Sequence, residues 1–124
     1  MRYMITLSLS EQPQTPPPAE LMEAIAKLGE EATAAGVLLD TAGLAPSDQG
    51  ARVELTGGRL SVTDGPFAES KELISYALYQ VGSKEEAVEW ASRFLRLHRD
   101  LWAGWEGQAD IRRVFGPEDF AASA

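Results

Sequence analysis

The chain has 124 residues, 44% of them hydrophobic and 24% charged, which is the length and balance of one globular domain. Nineteen acidic side chains against eleven basic ones leave a formal charge of −8, which is repelled by a phosphate backbone and argues against a direct nucleic-acid binder. Without cysteine there is no disulfide framework and no thiolate metal site, a usage that suits a cytoplasmic protein, and no window approaches the roughly 18 apolar residues of a membrane span, so no membrane partner is expected.

The opening stretch MRYMITLSLS lacks the long apolar block of a signal peptide. Its apolar residues Tyr3, Ile5, Leu7 and Leu9 alternate instead, which predicts a strand over 2–9. SEQPQTPPP (10–18) cannot be regular structure, and its three consecutive prolines read as a short extended connector. A helix is predicted to start at Pro18-Ala19, where proline is tolerated, and to run to about 35. Leu21, Ile25, Leu28 and Ala32 make its buried stripe, and Gly36 stops it. VLLDTAGL (37–44) reads as a second strand and APSDQG as a loop. ARVELTGGRLSVTD (51–64) reads as a hairpin whose Gly57-Gly58 supplies the positive φ of a tight turn.

TDGPFAESKE (63–72) then packs a turn, a lone aromatic and four ionisable groups into ten residues. LISYALYQV (73–81) is apolar on nearly both faces, as a central strand is. Gly82 breaks it, and SKEE (83–86) is a capping box opening a helix over 84–101. Ala87, Val88, Ala91, Phe94 and Leu95 share one side of that helix, and the period continues through His98 to Leu101 and Trp102. AGWEGQ is a loop, ADIRRVF (109–115) the last strand, and 117–124 a tail after a single domain spanning 1–116.

Without the hairpin, the order is strand–helix–strand–strand–helix–strand. That order predicts an α+β, ferredoxin-like antiparallel sheet with both helices on one face and the hairpin as an extra. The other face must be solvated or covered. Because strand 73–81 is apolar on both sides, a second copy of the chain is the economical cover, and a homodimer is expected.

TDGPFAESKE resembles the signature of the DGPF branch of the YCII-related proteins, and MRYMITL, LISYALYQV, SKEEAVEWASRF and DIRRVFGPEDF are similar to that branch as well. The resemblance implies a dimeric α/β barrel in which two protomers pack their sheets around a shared cavity. Relatives of this architecture are small enzymes or ligand-sensing modules. Some members of the branch lie near extracytoplasmic-function sigma factors, which makes a regulatory module the alternative to an enzyme. YCII proteins proper carry an early histidine paired with an aspartate. This chain has no histidine there, so that dyad does not carry over. Many branch members also have a small residue before the aromatic of the central strand, where this chain has Ser75.

Two residues are candidates for acid–base chemistry. Asp64, before Gly65-Pro66, either pins the turn or faces the mouth of the cavity as general acid or base. His98, the only histidine, is either a satisfied buried residue or a base or proton relay with Asp64. Phe67 reads as an anchor for the corner. Glu69 and Lys71, two apart in an extended segment, fall on one side and are candidates for substrate binding, with Ser75 and Arg112. Arg112 and Arg113 alternate, so only one faces inward. Arg93, Arg96, Arg99, Arg112 and Arg113 are either solvated charges or a local anion site.

One histidine and no cysteine leave no metal-binding pattern; Asp40, Asp48 and Asp64 form no calcium loop. No phosphate loop or dinucleotide fingerprint is present, so no cofactor is expected. What remains is a protein that binds a small molecule, with or without acid–base turnover, or a plain dimeric scaffold.

Overall fold

The computed structural model describes residues 1–67 and 70–121. Strand β1 (Arg2–Leu9) runs down the middle of a four-stranded antiparallel sheet, as its strict buried/half-buried alternation requires. It pairs with β5 (Glu72–Gln80) on one side and β6 (Gln108–Val114) on the other. Strand β2 (Leu38–Gly43) lies outside β5, giving the order β2-β5-β1-β6. Helices α1 (Ala19–Ala34) and α2 (Lys84–Leu101) cover one face. There Ala32 of α1 and Ala87 and Ala91 of α2 pack on Tyr3, Ile5 and Tyr79 in one core cluster. Alanines at these three helix positions let the helices sit close to the large side chains of the sheet. The uncovered face carries the alternate residues: Met4 opposite Leu78 and Arg112, and Thr6 opposite Tyr76 and Asp110.

The sequence reading of helices and strands is met within a residue or two. The Ser83 hydroxyl accepts the Glu86 amide at 3.2 Å and caps α2. In the tail, Pro117–Ala121 form a short helix, α3, where Asp119 accepts from the Gly116 amide at 2.7 Å and pairs with Arg113.

The expected dimeric α/β barrel is corrected. Neither sheet closes: β2 and β6 are free edges of an open sheet, and the hairpin strands β3 (Ala51–Thr56) and β4 (Arg59–Asp64) form a separate two-stranded sheet. Four ordinarily twisted strands are too few to curl shut, and a hairpin that pairs only with itself adds none to them. The hairpin turns on Gly57 (φ 58°) and Gly58 (φ 78°), as a two-residue turn of this hand demands. Register puts Val53 opposite Val62 and Leu55 opposite Leu60 on one face. No described residue covers them: they are 67%, 70%, 70% and 73% exposed in that order.

Candidate functional site

Two hollows adjoin at the end of the sheet where β5 begins. The first, about 360 Å³, lies against the motif corner and is lined by Arg52, Phe67, Lys71, Glu72, Ser47 and Leu44, among others. The second, about 380 Å³, lies under the proline connector and is lined by His98, Trp102, Trp105, Ile74, Met22 and Glu72, among others. Glu72, Gln12 and Leu44 belong to both and form the partition.

The corner owes its shape to close packing. A β-carbon on Gly65 would lie 1.7 Å from the Ser47 carbonyl oxygen, so only glycine lets β4 run past the short 3₁₀ turn Ser47–Gln49. The Gly65 amide donates to the Gly50 carbonyl at 2.9 Å, and the Gly65–Pro66 peptide is cis. The Arg52 guanidinium lies 4.1 Å over the Phe67 ring. Glu72 accepts from the Ser47 amide at 2.5 Å and from Gln12 Nε2 at 3.0 Å, and the Ser47 bond above all holds its carboxyl below the usual carboxylate range. Glu72 is thus a brace between loop 45–50 and the connector.

The second hollow is built on α2. His98 is 5% exposed, and its Nδ1 lies 2.9 Å from the Phe94 carbonyl one turn earlier. Trp105 lies tilted over its ring, at 4.3 Å and 37° between planes, and Phe94 meets it edge-on at 4.7 Å. Burial pushes the imidazole pKa down, opposed by the Phe94 carbonyl. A bulge in β5 opposite Leu7 and Ser8 leaves Ile74 unpaired with β1, and Ile74 forms part of the wall. Trp102 Nε1 donates to Thr15 at 3.3 Å and ties down the connector above.

Asp64 is exposed at the end of β4 and lines neither hollow. His98 lines the second. The two candidate acid–base residues are therefore not brought together. Lys71 lines the first hollow and donates to Gln108 Oε1 at 2.5 Å. Glu69 lies outside the described residues. Ser75 pairs with Leu7 and faces the helix layer, lining a small cleft of about 120 Å³ with Trp90 and Phe94. Arg112 is exposed on the uncovered sheet face opposite Met4. The other four arginines of the last third are in ion pairs, Arg93 with Glu31, Arg96 with Glu89, Arg99 with Asp100 and Arg113 with Asp119, so no common anion site gathers them.

The profile of the YCII-related domain matches residues 1–103, from β1 through the whole of α2. The chain belongs to the YCII-related family. No curated protein matches it. In this YCII-related chain, sequence reasoning missed the role of Ser47, Gln12 and Ile74. Their part in the site depends on loop closure and on a strand bulge, and neither leaves a local pattern. That Trp105 returns onto His98 was not legible either.

Proposed function

We propose that this YCII-related chain, through its DGPF corner a member of that branch, is a homodimeric small-molecule-binding protein. The ligand occupies the first hollow, beside Lys71, with Glu69 on the same segment. The observation that carries this reading is the convergence of a cationic side chain, a ring under a guanidinium and a braced carboxylate around one open volume of about 360 Å³, within the range of small-ligand sites. Binding is favoured over acid–base turnover because Asp64 lines neither of these two hollows and His98 lines only the second. A thermal-shift screen of small carboxylates and phosphates tests it. A rise in Tm in the native chain that is lost in Lys71→Gln supports the site; a panel without effect, or equal shifts in both proteins, overturns it.

The dimer rests on the bare hairpin face. Val53, Leu55, Leu60 and Val62 expose on the order of 400 Å² of contiguous apolar surface, a patch size that marks interaction sites. A second copy offers a surface to match, the uncovered sheet face with Met4 and Leu78 at its centre. Two hairpins so docked would bury roughly 1,600 Å² in total, the area of a stable interface. Light scattering at micromolar concentration is expected to return twice the chain mass; a monomer mass overturns it.

A further inference from the structure

The second hollow lies across the Glu72 partition from the first, and no step of the proposed function uses it. His98 Nδ1 faces a carbonyl oxygen, which can only accept, so Nδ1 carries the ring proton. The remaining nitrogen, Nε2, is then an acceptor. It has no hydrogen-bond partner among the described residues, yet no side-chain nitrogen or oxygen among them is both sealed from solvent and unpaired. Nε2 therefore opens onto the hollow that His98 lines. The ring cannot swing away, because Trp105 lies against it on one side and Phe94 abuts it on another.

Around Nε2 the lining is largely apolar, with Leu21, Met22, Ile25, Ile74, Trp102 and Trp105, while its polar members are already engaged: Glu72 by the Ser47 amide and Gln12, and Thr15 by Trp102. The bulge that brings Ile74 into the wall is a local departure from the ladder, of the kind that re-aims a side chain. An anion would lose its hydration here with no cation in the lining and a carboxylate, Glu72, in the wall, and a cation would have to compete with the Ser47 amide and Gln12 for that carboxylate. A flat apolar molecule with one N–H or O–H donor would bury its ring against two indoles and satisfy Nε2. We infer that this hollow is a binding site for a neutral aromatic or alicyclic ligand, oriented by one hydrogen bond donated to His98 Nε2.

The test uses phenol, which has a donor, and toluene, which has none. His98 is the only histidine, so the imidazole nitrogens give one set of signals in a long-range ¹H–¹⁵N spectrum of the native chain. The spectrum is expected to show the Nδ1-protonated tautomer, and phenol is expected to shift Nε2 while toluene leaves it in place. In His98→Phe, which keeps an aromatic ring, the ratio of phenol to toluene affinity, read from tryptophan fluorescence, is expected to fall about tenfold. Lys71→Gln is expected to leave both probes unaffected, which separates this site from the first hollow. An Nε2-protonated tautomer overturns the inference, as does an unmoved Nε2 signal at saturating phenol or the absence of binding by either probe. The spectrum needs only the native chain and decides the matter even if the variant does not fold.

Discussion

Gly65 is the residue on which the motif corner turns. The sequence places it in a turn after Asp64. The structure uses it for the absence of a β-carbon, since any side chain would collide with the Ser47 carbonyl. Gly65→Ala is expected to cost about 1–3 kcal/mol, as overpacking does, and to lower Tm by several degrees; an unchanged Tm would show that the corner gives way freely. His98 supplies a second test. Burial holds its folded pKa below the ordinary 6.5, so just below that pH the unfolded chain binds more protons than the folded one. The stability linked to neutral His98 is complete above about 6.5, falls as acid passes through the window down to the folded pKa, and levels off beneath it. Denaturant melts from pH 8 to 5 are expected to show that slope in the native chain and a shallower one in His98→Phe. Part of this was readable beforehand. His98 falls on the stripe set by Ala87, Ala91 and Phe94, so its burial follows from helical spacing. Its tautomer and its indole neighbour depend on the path of the loop after α2, which no periodicity encodes.

Among the elements, the regular pieces were the legible ones. The alternation in 2–9, the stripe of α1 and the Ser83 cap each state their geometry within a few residues. The bulge in β5 was not legible, because ISYALY is consistent with unbroken pairing. The hairpin was half legible. The sequence places its two strands and the Gly57-Gly58 turn, but not that Val53, Leu55, Leu60 and Val62 share a face that is bare in the single chain. An amphipathic hairpin standing clear of its own core is marginal in water. Leu55→Lys together with Leu60→Lys is therefore expected to leave the four-stranded sheet intact and to convert the proposed dimer to monomer, read as halved mass with unchanged near-ultraviolet circular dichroism. A variant that stays dimeric would place the interface elsewhere.

At the scale of the whole molecule, one sheet face is covered by helices and the other is left to water or to a partner. The strand order made that asymmetry legible; what it could not reveal is that the hairpin, rather than joining the sheet, stands apart from it. If copies associate, folding and association are linked, and Tm is expected to rise with protein concentration over the micromolar range, whereas a monomer melts at one temperature throughout. The connector over the second hollow has a kinetic consequence. It carries Pro13, Pro16, Pro17 and Pro18, which have no amide hydrogen to give, and its side chains fasten it at two points, Gln12 to Glu72 and Thr15 to Trp102. Releasing two such bonds costs about 1 kcal/mol each, a small fraction of the free energy of global unfolding. The prolines keep the freed segment extended rather than collapsed. A stiff flap on weak latches thus borders the histidine hollow, and it is expected to lift by local release, independently of the stability of the domain beneath.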